Sequence, residues 1–405
     1  MQLRGAMHTT LLSFALSVGI PATHVLQRPA ASADVTIMPP PSAASEAVHP
    51  AAQPREVIDY TDPVSPLGQN ARGLYFNADV VAAIGVRDLI RIVKSARMNA
   101  LVIDLKDERG RVHFDTKLPE LQKSKRNTLG DVPALVRELH GAGLYVIARV
   151  VCFSDPIVPR QFPERGVQDG RPGKRGQLWA TWGKRHPWLD PYNEKNHTML
   201  IALAREVEAL GIDEIQLDYI RFPVDKATTF AVYPSQRDEP RERVLLRMLE
   251  RMDRAVHIPL GTDVFGITVM PWRDDSPLGQ DLESWSKYVE VFSPMLYLHG
   301  MRAWHEHDRE QRAGRLIALG VSTLRARLGA QPVVRPFLQA FPEGADHYDP
   351  SFIAEQIGGA RRSGADGFLF WHPASHYATV RSATVGGPAQ NMLPFPSGDR
   401  ARSGR

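Results

Sequence analysis

The sequence predicts an α/β protein built as a closed (β/α)8 TIM barrel, and three observations point there. Short apolar runs recur eight times, at 73–76, 100–106, 144–151, 214–219, 258–264, 289–297, 333–339 and 367–371. Amphipathic segments at 86–96, 131–141, 198–210, 241–256, 282–289, 310–319 and 351–363 fill most of the gaps between them, and such alternation of strand and helix specifies a parallel sheet. No G-x-G-x-x-G turn and no phosphate-binding P-loop occurs. An open dinucleotide-binding sheet therefore lacks its signature, and eight repeats over about 300 residues fit a closed barrel.

Before the first strand the chain has two other characters. Arg4, an apolar run from Leu11 to Ile20 and Ala31-Ser32-Ala33, which fits the small-x-small cleavage rule, make residues 1–33 an export signal peptide. Its apolar core is short for a bilayer, so cleavage near Ala33 is expected, with an uncleaved membrane anchor as the alternative. Residues 34–70 are rich in Pro, Ala and Ser, as in Pro39-Pro40-Pro41-Ser42-Ala43-Ala44, and read as a disordered linker. The folded domain is expected over 71–385, followed by a disordered tail at 386–405. The mature chain then has no membrane span and is periplasmic or secreted.

Composition is that of an ordinary globular protein, 43% hydrophobic and 23% charged. Removing residues 1–33 lowers the formal charge from +4 to +2, which gives no electrostatic case for a nucleic-acid partner. The basic residues between Arg171 and Arg185 suit either an anionic glycan or simple solvation. Cys152 is the only cysteine, so an internal disulfide and a cysteine-based zinc cluster are excluded. His299, His305 and His307, or His372 and His376, lack a supporting acidic triad, and no metal or other cofactor is expected. A serine nucleophile lacks its G-x-S-x-G turn. A chitinase-like mechanism would want Glu two residues after Asp218, where Ile220 stands.

Functional residues of such barrels sit at the carboxyl ends of the strands, and polar residues collect there. Asp104, Lys106 and Asp107 end the second strand, and Arg149 lies on the third. Asp218 and Arg221 close the fourth, Asp263 the fifth, Tyr297 the sixth, Arg335 and Gln339 the seventh, Trp371 and His372 the eighth. Any one of these could be an interior ion pair, for example Lys106 or Arg149 with Asp104 or Glu214; together they mark a site. In the fourth strand, Glu214, Gln216 and Asp218 share one face while Ile215, Leu217 and Tyr219 take the other. Asp is disfavoured inside strands, so Asp218 calls for a chemical reason. A long loop after the third strand, about 153–196, holds Trp179, Trp182 and Trp188, three of seven tryptophans. Their rings suit the apolar faces of sugars, or else they staple the loop to the barrel.

These residues resemble a bacterial family of glycoside hydrolases, an uncharacterised domain of the α-amylase-like barrel superfamily, and the likeness spans nearly the whole domain. It rests on Leu101-Val102-Ile103-Asp104-Leu105-Lys106-Asp107 with Gly110, Ile147-Ala148-Arg149-Val150, Trp188-Leu189-Asp190-Pro191, and the run from Asp213 to Pro223. Asp263-Val264-Phe265-Gly266, Ser293-Pro294-Met295-Leu296-Tyr297, Val334-Arg335-Pro336-Phe337-Leu338-Gln339 and Phe370-Trp371 complete it. Leu298-His299-Gly300 replaces a Pro-containing turn, and Phe337 stands where Trp is common. The resemblance implies hydrolysis of O-glycosidic bonds in a polysaccharide or oligosaccharide by a carboxylate pair, Asp218 as nucleophile and Asp263 as acid, with Arg149 and Arg221 keeping Asp218 ionised. Asp104, Lys106, Arg149, Arg221, Tyr297, Arg335, Gln339, Trp371, Trp179, Trp182 and Trp188 are the expected substrate contacts. A noncatalytic glycan-binding or envelope-scaffolding barrel is the competing reading.

Overall fold

The computed structural model describes residues 64–180, 186–224, 228–271, 277–301 and 311–386. The expected signal peptide, most of the linker, Trp182 and the tail beyond Gly386 lie outside the described residues. Eight parallel strand positions close into a barrel: β1 (Arg72–Phe76), β2 (Ala100–Lys106), β3 (Tyr145–Val151), β4 (Glu214–Asp218), β5 (Leu260–Phe265), β6 (Val291–Met295), β7 in two pieces (Val333–Val334 and Phe337–Gln339) and β8 (Phe368–Trp371). The break in β7 falls at Arg335-Pro336, and proline cannot donate to a ladder. Its first piece pairs with β6, its second with β8, and the Phe337–Met295 pairing closes the ring.

Helices pack outside: α1 (Ala78–Ser95), α2 (Val132–Gly141), α3 (Glu194–Glu208), α4 (Arg241–Asp253), α5 (Arg312–Leu328), α6 (Pro350–Arg362) and α7 (Ala378–Gly386). Several start where the sequence supplies a cap: Asn77, Asp131 and Asp349 each accept a bond from a first-turn N–H. Helix α1 begins eight residues before the expected 86, because Gly85 at φ 74° kinks it and interrupts its period. Helix α5 runs on to Leu328 because Leu316, Ile317, Val321 and Leu324 keep the 3–4 spacing beyond the expected end at 319. Between Arg241–Asp253 and Arg312–Leu328, only the single turn Leu282–Trp285 forms where a helix to 289 was expected.

Two apolar layers result. The larger lies between barrel and helices. The smaller fills the barrel itself with Ala71, Tyr75, Ala100, Val102, Tyr145, Ile147, Phe337 and Leu369. The amino-terminal end is sealed by the turn Pro66–Gln69, so the folded unit starts a few residues earlier than the sequence suggests. Gly68 lies flat on the Tyr145 ring, where a Cβ would stand 2.6 Å from Cζ, and its carbonyl accepts from Arg335 Nη1 at 2.9 Å. Among the described residues no helix is long and apolar enough to cross a membrane.

Candidate active site

Period-2 alternation aims Glu214, Gln216 and Asp218 into the barrel in three successive layers. Leu217 pairs with Thr262, so Asp218 and Asp263, the next residues on each strand, stand side by side at the carboxyl end of β4 and β5. Arg149, inward from β3, bridges the layer. Its Nε and Nη2 reach Asp218 Oδ2 at 2.9 and 2.7 Å, and its Nη1 reaches Asp104 Oδ1 at 2.7 Å. Tyr75 Oη, from β1, donates to Asp104 Oδ2 at 2.6 Å. Tyr219 adopts a left-handed backbone at φ 51°, unusual for a non-glycine residue, which turns its N–H back onto Asp218 Oδ1 at 2.6 Å. Such local strain costs on the order of 1–3 kcal/mol and clusters at functional sites.

The two aspartates therefore differ in surroundings. Asp218 accepts two charge-assisted bonds and one backbone bond, the partner set of a carboxylate used as an anion. Asp263 accepts only from Gln216 Nε2, at 2.7 Å, among the described residues. Burial first, and then the neighbouring Asp218 charge, push its carboxyl well above the usual range, with Arg149 opposing. Burial also raises Asp104, against Arg149 and Tyr75. Tyr297 is pushed well up, by burial first and then by Asp263 and Asp218, so its hydroxyl stays neutral beside both carboxylates. The Trp371 ring lies 5.6 Å from Tyr297 and 6.3 Å from Tyr75, centroid to centroid, and Phe341 packs edge-on to it at 5.3 Å. Tyr297 and Trp371 are half-buried.

Of the expected site residues, Asp104, Arg149, Asp218, Asp263, Tyr297 and Trp371 come together here. Arg221 sits nearby with its guanidinium about 5 Å from three ring centroids, those of Trp188, Tyr219 and Phe265. Five expectations need correction. Arg335 belongs to the opposite end of the barrel, where it pairs with Glu214 at the start of β4, because it precedes the break in its strand. Lys106 is fully buried, forms an ion pair with Asp155 Oδ2 at 3.0 Å and donates to Val151 O at 2.8 Å, which leaves no face for a substrate. Gln339 is buried too; it ties loops together by accepting from His299 N and donating to Phe341 O and Glu343 O. Trp179 is 1% exposed and packs in the outer core, so it staples its loop rather than offering a platform. Trp188 is 3% exposed and meets Tyr219 edge-on at 5.7 Å, supporting the site from behind.

Sequence reasoning did not single out Tyr75, Glu108 or Gln216 as site residues. Tyr75 and Gln216 had a signal, the inward alternation of their strands. Glu108 had none, since it follows β2 in a loop turned by Gly110 at φ 74°; its Oε2 lies 3.8 Å from Arg149 Nη1. Burial raises Glu108, Arg149 opposes, and Asp104 and Asp107 add to the rise. The Cys152 thiol is buried and pushed up to about 12 by that burial, in line with an inert role. Among the described residues no group of three or more His, Cys, Asp or Glu is arranged to hold a metal ion.

Fold and site together are those of a closed parallel barrel with two adjacent aspartates in contrasting environments at its carboxyl end. The family model described as "putative glycosyl hydrolase domain" matches residues 73–377, the barrel from β1 to the residue before α7. The chain belongs to that family and is a glycoside hydrolase by class. Among solved structures, the PgaB (BpsB) glycoside hydrolase domain from Bordetella bronchiseptica is similar over 78% of this chain and 98% of that one, at 15% identity and a TM-score of 0.58, which shows the shared fold. A hypothetical protein from Ruminiclostridium thermocellum aligns at 27% identity over 47% of this chain and 97% of its own, with a TM-score of 0.42. An α-galactosidase from Thermus thermophilus aligns at 15% identity over 82% and 64%, with a TM-score of 0.49. No curated protein matches the chain.

Proposed function

We propose that the protein is an exported glycoside hydrolase that cleaves polysaccharide or oligosaccharide chains with retention, Asp218 acting as nucleophile and Asp263 as acid and base. The observation that carries this reading is the contrast between the two side-by-side carboxyl groups. One is held by the Arg149 guanidinium; the other is buried with no cation in contact among the described residues, and burial and the Asp218 charge push its carboxyl well above the usual range. Glycosidase chemistry needs that division. Asp263 delivers its proton to the glycosidic oxygen as the C–O bond breaks, and an Asp218 oxygen bonds the anomeric carbon. Water then attacks that carbon, giving its proton to the Asp263 carboxylate, and the ester to Asp218 breaks. Tyr297 and Trp371 supply a neutral aromatic wall for the sugar ring. Arg149, shared with Asp104, holds the nucleophile in place.

The reading is tested by turnover on a panel of bacterial and plant polysaccharides, with proton NMR of the first-formed anomer. Retention and a mass-labelled Asp218 peptide after reaction with a 2-fluoro glycoside are expected. Inverted product would remove Asp218 from the nucleophile role. Export rests on Arg4, the apolar run and Ala31-Ser32-Ala33. Amino-terminal sequencing of the mature protein should begin near Asp34, and intact Met1 on cytosolic material would overturn it.

A further inference from the structure

If Asp263 is the acid, as just proposed, its proton must reside on a defined oxygen, and the barrel interior contains a side chain placed to define it. Gln216 is fully buried one inward layer below Asp218, and its Nε2 donates to Asp263 Oδ1 at 2.7 Å. Its Oε1 has no hydrogen-bond partner among the described residues. A half-satisfied amide is a liability in an interior lined by Val102, Ile147 and Phe337, and packing alone would be better served by Leu or Met. The liability is explained if the amide is there for the carboxyl group it touches. Among the described residues the charged and titratable groups that act on Asp263 do so through their fields: Asp218 and Glu214 from β4, Arg149 from β3, Cys152 just after β3, and Tyr297 beyond β6. Ser293, its register partner on β6, is buried, with Oγ unpartnered among the described residues.

We propose that Gln216 is the positioning residue of the acid: with Oδ1 of Asp263 occupied by the Gln216 N–H, the carboxyl proton resides on Oδ2, and that oxygen delivers it. In the first step the Oδ2 proton moves to the glycosidic oxygen, the C–O bonding pair leaves with that oxygen, and Asp263 is left as a carboxylate. The Gln216 N–H bond then becomes charge-assisted and strengthens as the transition state is reached. In the second step the proton of the attacking water returns to Oδ2.

The test compares Gln216→Leu with the wild-type chain. Melting temperature should stay level or rise, because a half-satisfied amide is replaced by an apolar side chain. In carbon-13 NMR of protein labelled at aspartate carboxyls, the resonance lost in Asp263→Asn identifies Asp263. Its titration midpoint should move up by roughly one pH unit in Gln216→Leu, since a donor that favours the ionised form has gone. With a glycoside that is turned over, the alkaline limb of kcat/KM should move the same way while KM holds. An unmoved midpoint and limb overturn the proposal, as does a fall in stability that by itself accounts for the moved limb. Gln216→Met, which keeps the length without the N–H, gives the same readings should the Leu variant fail to fold. Wild-type turnover by Asp263→Asn would instead sink the acid assignment, while the carboxyl titration would still report whether Gln216 holds Oδ1.

Discussion

The two ends of the barrel use the same strands and the same residue types to opposite effect. At the amino-terminal end Glu214 of β4 meets the Arg335 guanidinium and the Tyr145 hydroxyl, and the Gly68 carbonyl takes a further Arg335 N–H. One anion meets one cation, both fully buried, under a sealing turn. At the carboxyl end Arg149 is shared by Asp104 and Asp218, Glu108 waits at 3.8 Å, and Asp263 has no cation in contact among the described residues. Matched charge fixes structure, whereas an excess of carboxyl groups over cations leaves protons that can move.

The largest effect belongs to the carboxyl end. Asp218→Asn keeps the shape and loses the charge of the proposed nucleophile, so turnover should fall roughly 10³-fold or more while circular dichroism and melting stay near wild type. Wild-type turnover by this variant would break the comparison at its functional side. Its counterpart at the other end is Arg335→Met, which leaves Glu214 buried without its cation. Breaking such a pair costs about 3–5 kcal/mol, a fall of roughly 10 °C in Tm for a domain of this size. Adding Glu214→Leu should recover most of it. The folded fraction should turn over normally in both variants; a change in kcat would mean that the two ends are not separate.

A pH dependence follows from Asp263. Burial and the Asp218 charge raise its hold on the proton in the folded state. The folded chain then binds more protons than the unfolded one, and stability falls as pH rises from the ordinary carboxylate range through the folded-state value. Asp263→Asn removes that loss. Its Tm relative to wild type should therefore climb with pH, and a gap that stays constant from acid to alkaline pH would count against a protonated Asp263.

The same comparison separates what the sequence disclosed from what it did not. Strand–helix alternation gave the barrel, and the Asp218 and Asp263 layer followed from counting alternate residues into strands of correct register. Counting failed at Arg335, because Pro336 breaks β7 and puts the residues before and after it in different pairings and at different ends. It failed at Lys106 for a related reason: β2 shifts register against β3 between Asp104 and Lys106, and the lysine meets Asp155 from a loop 49 positions further on. Trp179 was ambiguous because exposure of a loop residue is set by tertiary packing, here the loop's own backbone bonds, Trp179 N–H to Val167 O and Val167 N–H to Trp188 O. Glu108 was invisible because a loop carboxylate has no period to betray which way it faces.

The smallest and sharpest test uses two inward tyrosines. Tyr75 donates to Asp104 at 2.6 Å at the carboxyl end, and Tyr145 donates to Glu214 at 3.2 Å at the amino-terminal end. Each loses one hydrogen bond on substitution by Phe, worth about 0.5–1.5 kcal/mol when neutral and up to about 3 kcal/mol when the acceptor is charged. At the amino-terminal end Arg335 still holds Glu214, so Tyr145→Phe should lower Tm by a few degrees and leave kcat/KM unchanged. At the carboxyl end the lost donor frees an Asp104 oxygen to compete with Asp218 for Arg149, which loosens the anchor of Asp218. Tyr75→Phe should therefore cost activity several-fold for a stability loss no larger than that of Tyr145→Phe. Equal effects of the two substitutions on both stability and kcat/KM would mean that the ends differ in solvent access alone, and that the surplus of carboxyl groups around Arg149 has no part in the chemistry.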